Sequence, residues 1–411
     1  MMRKAAFGVL AVVASVAVAA PALAQTIKIG DVGSKTGVYE GYGRYQTWAV
    51  SMAVEEINAK GGVLGKKLEI ISEDDQTAPG PAARKTEKLI LQDGVNLVVG
   101  PVSSGSALAM IDVVKKYGKQ YNVIMWNSIA CAEFMRTSKF NPYYFNNQPD
   151  SRYQANGLTG YILKNMGKRV FIFYVDYAMG QSDARQFKVA MEKQGGDIVG
   201  VAGAPLDTKD FTPWFGQIEA AKPEVLFLAF AGEDSLRLMQ QMHQFGLTKK
   251  YKLAGIDCFL LQQDLPLIAE PMEGFVQMNH FSPYNPDPGM QAFNKKFRAY
   301  TKKVTGKEID GNLSMGAYDG VYFWANAVNK VGTVDADKVV KAMEGSCFDN
   351  GHVGRSCIRP EDHQVMMDIA IYKISKGRNE PIATLKASDI AGEPMVGKDP
   401  IPGFTWEIKK K

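Results

Sequence analysis

Residues 26–72 open with the run TIKIGDV at 26–32 and close with KLEIIS at 67–72. Both runs are apolar and rich in β-branched residues, which predicts a strand in each. Between them a helix is predicted that ends at the pair Gly61-Gly62. Its apolar face recurs at helical spacing and comprises Tyr42, Tyr45, Ala49, Met52, Ala53 and Ile57. A strand, a helix and another strand in this order predict a βαβ crossover between parallel strands.

The same alternation continues along the chain and then restarts. Further strands are predicted at 95–99 and 122–126, with a helix after Pro79 and Pro81. A second series of predicted strands follows at 169–175, 197–201, 224–230, 251–256 and 274–278. The segment between the two series, 140–149, is rich in Asn, Pro and aromatic residues and lacks a helical period, so we interpret it as a hinge crossing.

This pattern predicts an α/β protein of two doubly wound, Rossmann-like lobes. Two predicted helices near 290–304 and 312–331 have no strand between them and are expected to return to the first lobe. The chain then crosses three times, near 146, His280 and Cys357. We assign residues 25–146 and 280–357 to lobe 1. Lobe 2 comprises 147–279 and 358–411, with a late strand at 366–374 and a tail expected to wrap over a lobe.

The first 24 residues have the features of a secretory signal peptide. Met1 to Lys4 carry positive charge, 5–20 are small and apolar, and Ala22-Leu23-Ala24 is a cleavage pattern. The apolar run is shorter than the roughly 20 residues that a membrane anchor needs. We therefore predict cleavage after Ala24 and export to the periplasm.

Four cysteines occur in the chain. Cys347 and Cys357 lie in a polar, glycine-containing stretch typical of a surface loop, and in an oxidising periplasm they are expected to form a disulfide. Cys131 and Cys258 have apolar surroundings and are expected to be free, buried thiols.

Composition and motifs exclude several classes of function. The 411 residues carry 48 Lys and Arg against 43 Asp and Glu, a net charge of +5 that gives no reason to expect nucleic acid. Neither a dinucleotide fingerprint nor a phosphate-binding loop follows a predicted strand, and the four histidines have no metal-ligand spacing. Because Val102 stands where a nucleophile motif around Ser104 requires glycine, no hydrolase is indicated. We expect no cofactor, no metal and no enzymatic activity.

The candidate site follows from position, because ligands of doubly wound sheets bind where loops leave the carboxyl ends of the strands. Such loops contain Tyr39, Tyr42, Ser103, Ser104, 127–131, Asp176, Tyr177, 231–234, Asp257 and Cys258. Ser103 and Ser104 precede a helix whose free amides could hold a carboxylate. Ordinary N-capping of that helix is the alternative for both serines.

Several motifs resemble the ligand-binding proteins of ABC importers for branched-chain amino acids, which have the type I periplasmic binding fold. The most specific motif is INAKGGVLG at 57–65, and EDD at 73–75, VVGPVSS at 98–104 and DYAMG at 176–180 support it. The resemblance extends to about Ile374. It implies two lobes that clamp a small ligand and deliver it to a membrane permease.

Site residues carried over from the resemblance divide into two groups. Ser104 would bind a ligand carboxylate, helped by the backbone at Val102 and Ile129, and Asp257 would bind an ammonium group or merely cap a helix. The departures are Cys131, where amino-acid binders have threonine, and Ala231, where an aromatic side chain often lines the pocket. Met179 stands at another pocket position, and Tyr42 and Tyr177 are further candidates for ligand contacts.

The resulting hypothesis is a monomeric solute-binding protein that captures a hydrophobic, branched-chain or aromatic amino acid. An alternative keeps the binding module and takes an aromatic or alkyl carboxylate without an amine, which Cys131 and Ala231 favour. A sensory receptor domain or an exported enzyme with Asp176 or Asp257 as general base are further alternatives.

Overall fold

The computed structural model describes residues 26–408, and the predicted signal peptide with its cleavage after Ala24 lies outside them. The strands are β1 (Ile27–Gly33), β2 (Leu68–Asp74), β3 (Leu97–Val99), β4 (Ile124–Asn127), β5 (Tyr144–Asn146), β6 (Arg169–Val175), β7 (Asp197–Ala204), β8 (Val225–Ala229), β9 (Lys252–Gly255), β10 (Val276–Asn279), β11 (Cys347–Gly351), β12 (Gly354–Ile358), β13 (Val365–Met366), β14 (Ile369–Ser375) and β15 (Arg378–Leu385). The helices are α1 (Glu40–Ala59), α2 (Pro79–Lys88), α3 (Ser104–Tyr121), α4 (Ser151–Asn165), α5 (Ala178–Lys193), α6 (Thr212–Ala221), α7 (Glu233–Gln244), α8 (Leu247–Lys250), α9 (Ala269–Met272), α10 (Pro288–Thr305), α11 (Gly316–Val331), α12 (Ala336–Met343) and α13 (Ala387–Ile390).

The first sheet is parallel throughout, with strand order β2-β1-β3-β4-β5. Alternate residues of its strands face opposite layers of helices, as a sheet covered on both faces requires. Ile29 and Trp126 join the apolar cluster of α1 and α11, whereas Val98 and Met125 join that of α3. Glycine is required at Gly62 after α1, where φ is +82° and a Cβ would lie 1.9 Å from the carbonyl oxygen of Lys66.

The second sheet has seven strands in the order β15-β14-β10-β9-β8-β6-β7. The strands from β10 to β7 are parallel, and β14 and β15 add to this core in antiparallel pairing. β14 lies where the sequence predicts a late strand. The mixed α/β architecture with two such sheets confirms the predicted fold class.

A small antiparallel sheet of β11, β12 and β13 stands where the sequence predicts a surface loop. Cys347 and Cys357 are direct partners across β11 and β12 and form a disulfide, while Cys131 and Cys258 are free and buried. The loop expectation was wrong because a polar hairpin and a polar loop share the same composition.

Three segments connect the two large sheets, at 147–150 after β5, at 280–287 after β10, and at 367–368 before β14. Because β13 still pairs with β12, we propose that the third crossing follows Met366 and does not lie near Cys357. The lobe boundaries near 146 and His280 remain the proposal made from the sequence.

The C-terminal tail packs on lobe 2. After β15, the Phe404 ring lies 5.1 Å from the Arg185 guanidinium, and Trp406 stacks on Tyr174 with ring centroids 5.3 Å apart. A long extended segment thus covers α5 and β6. Within residues 26–408, no helix has the length and apolar character needed to cross a membrane.

Candidate functional site

A small cavity lies at the carboxyl ends of the parallel strands, between the two sheets. Its volume is about 10 Å³, which is roughly what one water molecule needs. It is lined by Tyr39, Tyr42, Val102, Ser104, Ile129, Cys131, Tyr177, Met179, Ala231 and Cys258. Seven of these are site residues predicted from the sequence: Tyr42, Val102, Ser104, Ile129, Cys131, Tyr177 and Ala231. The structure therefore brings together residues that are up to 189 positions apart, because loops from both sheets meet here.

The two neighbouring serines at the start of α3 have different roles. Ser103 is the N-cap residue, and its hydroxyl accepts a hydrogen bond from the amide of Ser106 at 3.5 Å. Ser104 Oγ lines the cavity and accepts from the amides of Cys131 and Ala132 at 3.2 and 3.3 Å. Both lone pairs of Ser104 are thereby engaged, so its hydroxyl proton is available to an acceptor in the cavity. The first amides of α3, which lack intrahelical partners, add a positive end to the same place.

Tyrosines from both lobes form one wall of the cavity. The hydroxyl of Tyr39 donates to that of Tyr177 at 2.8 Å, and the Tyr42 hydroxyl donates to the carbonyl of Cys258 at 2.7 Å. Burial raises the pKa of all three tyrosines well above the ordinary value, so they are neutral donors and acceptors at physiological pH. These two hydrogen bonds join the lobes across the cavity.

Sulfur atoms form the opposite part of the lining. Cys258 Sγ lies 3.8 Å from Met179 Sδ, and Cys131 Sγ lies 3.8 Å from Asp183 Oδ2. The sequence predicts Met179 as a pocket position. It also places Cys258 in a strand-end loop of the candidate site, but as a free, buried thiol and not among the ligand contacts. Among the described residues that line the cavity, no side chain carries a formal charge.

Asp257 does not line this cavity, although the sequence predicts it as a ligand residue. Its carboxylate accepts a hydrogen bond from Gln148 Nε2 and lies 3.8 Å from His280 Nδ1. Gln148 and His280 belong to the first and second crossings, and the Asn279 amide donates to the Asp257 carbonyl at 3.1 Å. Asp257 therefore connects a site loop to the hinge. Burial lowers the pKa of His280, which favours the neutral imidazole beside this carboxylate.

Two further acids are buried behind Cys131. Burial raises the pKa of Asp183 well above its usual range, and it raises that of Glu133 to about 7. Glu133 Oε1 accepts from Gln186 Nε2 at 3.1 Å, and the Glu133 amide donates to Ser182 Oγ at the same distance. The nearest cation, on Arg185, is 3.9 Å from Glu133. The two carboxyl groups thus favour their neutral forms next to an uncharged cavity.

Glu133→Gln is expected to flatten the dependence of stability on pH. A carboxyl whose pKa is raised from 4.5 to about 7 in the folded protein stabilises it below pH 4.5, and this contribution is lost as the pH rises through 7. Between pH 5 and 8 the wild type should lose about 2.5 kcal/mol relative to the variant. Denaturant unfolding at several pH values measures this difference, with Glu361→Gln at an exposed position as the control. Parallel profiles for wild type and Glu133→Gln would contradict the assignment.

A family model described as a periplasmic binding protein matches residues 26–379. The chain belongs to this family. Leu/Ile/Val-binding protein homolog 6 from Brucella melitensis is 26% identical over 384 residues, which cover 91% of this chain and 94% of that protein. These matches confirm the resemblance to binding proteins of the branched-chain amino acid transporter type, and the chain is a solute-binding protein of an ABC transporter. The family is extracytoplasmic.

Solved structures support the same assignment. A periplasmic binding protein from Burkholderia mallei superposes with a TM-score of 0.80 at 25% identity, covering 90% of this chain and 96% of that one. A solute-binding protein from Rhodopseudomonas palustris BisB5, solved in complex with 3,4-dihydroxybenzoic acid, has a TM-score of 0.78 and 27% identity, covering 88% and 98%. The relatives are therefore named for two different ligand classes.

Proposed function

We propose that this solute-binding protein captures a small aromatic carboxylate that lacks an amine and delivers it to the permease of an ABC importer, without turnover and as a monomer. The observation that carries the proposal is the uncharged lining of the cavity. An amino-acid ligand would need a partner for its ammonium group, because a buried unpaired charge is costly. Asp257, the sequence candidate for that partner, is turned toward Gln148 and His280 in the hinge.

The lining groups suit each part of such an acid. The carboxylate would accept from the Ser104 hydroxyl and the first amides of α3, a geometry that favours anions. The ring would lie against Tyr42, Tyr177 and Met179, since aromatic and thioether groups pack well on aromatic faces. A ring hydroxyl would compete for the hydrogen bond between Tyr39 and Tyr177. The relative in complex with 3,4-dihydroxybenzoic acid supports this ligand class.

Closure of the lobes would follow from contacts on both sides of the ligand. Tyr39, Tyr42, Ile129 and Cys131 follow strands of the first sheet, yet they belong to the apolar cluster of the second lobe. The structure is thus in a closed arrangement, and a cavity of about 10 Å³ must widen to admit an aromatic acid. A ligand that contacts both lobes stabilises the closed form because only differential contacts shift such an equilibrium.

A hydrophobic amino acid is the second candidate. The name of the Brucella relative, Leu/Ile/Val-binding protein homolog, favours it. Their apolar side chains suit the apolar part of the lining, and Ser104 would bind their carboxylate in the same way. The two candidates therefore differ at one group, the amine.

Pairs of ligands that differ only in the amine distinguish the candidates. Protein is stripped of co-purified ligand by unfolding and refolding, and its melting temperature is then measured with phenylalanine against 3-phenylpropionate and leucine against 4-methylpentanoate. Benzoate, 4-hydroxybenzoate and 3,4-dihydroxybenzoate complete the panel. A ligand at 100 times its dissociation constant adds about 2.7 kcal/mol to stability, which raises the melting temperature by several degrees. Shifts with the amine-free acids support the proposal, and shifts confined to amino acids refute it.

Asp257→Asn is expected to leave the affinity for 4-hydroxybenzoate within about threefold of wild type, because the side chain lies in the hinge and an amide oxygen still accepts from Gln148. If Asp257 instead bound an ammonium group, loss of its charge would weaken amino-acid binding roughly 10- to 150-fold. Calorimetric titration of wild type and Asp257→Asn with 4-hydroxybenzoate and with phenylalanine measures these affinities.

A further inference from the structure

The cavity contains a pair of free thiols that the binding function does not explain. Cys131 lies in the loop after β4, and Cys258 lies in the loop after β9, so the two come from different lobes. Both side chains line the same cavity of about 10 Å³. Both residues are almost fully buried, with exposures of 1% and 4%. Two free thiols that line one small cavity, although they are 127 positions apart in sequence, are placed for a disulfide to form between the lobes.

We propose that Cys131 and Cys258 are a redox-active dithiol, and that a disulfide oxidant of the glutathione type converts them to an interlobe disulfide that holds the empty site closed. This inference concerns covalent chemistry of the cavity and does not depend on the ligand class. The same chain carries the disulfide between Cys347 and Cys357, which is consistent with an oxidising compartment.

The reaction balances as two thiol–disulfide exchanges. The thiolate of one cysteine attacks a sulfur of oxidised glutathione, forms a mixed disulfide and releases one glutathione thiolate. The second cysteine then attacks the protein sulfur of that mixed disulfide and releases the second glutathione. The two protein thiols lose two protons and two electrons, and one oxidised glutathione becomes two reduced ones.

The surroundings of the thiols determine when the first step occurs. The neighbouring Cys258 thiol and burial raise the pKa of Cys131, with Asp183 adding to the effect. For Cys258, the Cys131 thiol lowers the pKa, but burial together with the carboxylates of Asp257 and Asp183 outweighs this and raises the pKa to about 11. Thiolates are the attacking species, so the thiols of the closed form react slowly. The first exchange requires the lobes to part, and the second is completed as they close again.

Closure of the lobes would bring the second cysteine to the mixed disulfide within the same molecule, and it would stabilise the resulting disulfide between Cys131 and Cys258. Tyr39 and Tyr177 already hold the lobes together through their hydroxyl groups at 2.8 Å. A covalent bond between the loops after β4 and β9 adds to this contact at the centre of the cleft. Because the cavity of the closed form is about 10 Å³, the oxidised protein has no room for an aromatic acid.

The test uses the full-length protein with the disulfide between Cys347 and Cys357 intact and with Cys131 and Cys258 as free thiols. Oxidised glutathione is added, samples are quenched with acid, and free thiols are counted in denaturant. We expect the count to fall from two to none, the mass to fall by two hydrogen atoms, and peptide mapping to link Cys131 with Cys258. Dithiothreitol should restore both thiols. Retention of both thiols while the unfolded protein reacts, or a stable glutathione adduct on the wild type, would overturn the proposal.

Single variants and a binding measurement complete the experiment. Cys131→Ser and Cys258→Ser should each stop at a glutathione adduct on the remaining cysteine, because no second thiol can displace it. The wild type oxidised to the disulfide should bind 4-hydroxybenzoate roughly tenfold or more weaker than the reduced protein, since the open form is no longer populated. If the reduced protein does not bind 4-hydroxybenzoate, the proposed ligand class fails while the peptide map still decides the disulfide.

Discussion

Ser104→Ala is expected to weaken the binding of 4-hydroxybenzoate roughly 10- to 150-fold, because it removes a hydroxyl donor to a carboxylate in a buried site. The same change leaves the amides of Cys131 and Ala132 without the acceptor that they have at 3.2 and 3.3 Å. Those amides then point at the space where the methyl group replaces the hydroxyl, and the loop that forms this side of the cavity loses its attachment to α3. Calorimetric titration of the variant measures the loss.

Ser103→Ala is the matched control, since the neighbouring serine caps the same helix and is not part of the cavity lining in the described chain. Its loss should cost about 0.5–2 kcal/mol of stability through the cap and leave the affinity nearly unchanged. The two variants thus separate a helix-capping role from a ligand-binding role. Equal affinity losses in both, or full affinity in Ser104→Ala, would contradict the proposed carboxylate contact.

The position of Ser104 was predictable from sequence because it depends on local rules. An apolar run ending at Val99 predicts a strand, and the small polar residues after it predict a helix start. In a doubly wound sheet that combination places a side chain at the carboxyl edge, where β1, β4, β6, β8 and β9 also end. Seven of the nine predicted site residues lie around the cavity for this reason.

The direction of the Asp257 side chain was not predictable in the same way. Its loop position places it near the site, but its partner Gln148 is 109 positions away, and the other neighbour, His280, lies in a separate crossing. A strand-end rule locates a residue on an edge and does not say which side of the loop it faces. Cys258 next to it was interpreted as a buried hydrophobe, which is correct for its burial and omits its place in the cavity lining.

Replacing Arg136 by leucine should destabilise the protein by about 3–5 kcal/mol, because it removes the cation that pairs with the buried Asp150 and leaves Asp362 with Arg359 alone. Arg136 is 1% exposed and donates to Asp150 through Nε at 2.9 Å and to Asp362 through a terminal nitrogen. Asp150 ends the first crossing, and Asp362 precedes the third, so one guanidinium joins two hinge segments to the loop after β4. Denaturant unfolding measures the loss of stability, with Arg355→Ala as the control.

Arg355 pairs with Asp349 at the surface, where both side chains are 64% exposed, and its replacement should change stability by less than about 1 kcal/mol.

The pH dependence of stability then tests whether the loss in Arg136→Leu comes from buried charge. Burial alone would raise the pKa of Asp362, but Arg359 and Arg136 outweigh it and lower that pKa, so the wild type loses this contribution as the pH falls through the lowered value. In Arg136→Leu, Asp362 loses one of the two cations that lower its pKa, so this pKa is higher in the variant than in the wild type. The stability difference between variant and wild type should therefore shrink as the pH falls from 3.8 through the lowered pKa of Asp362, whereas a pure packing defect would keep it constant.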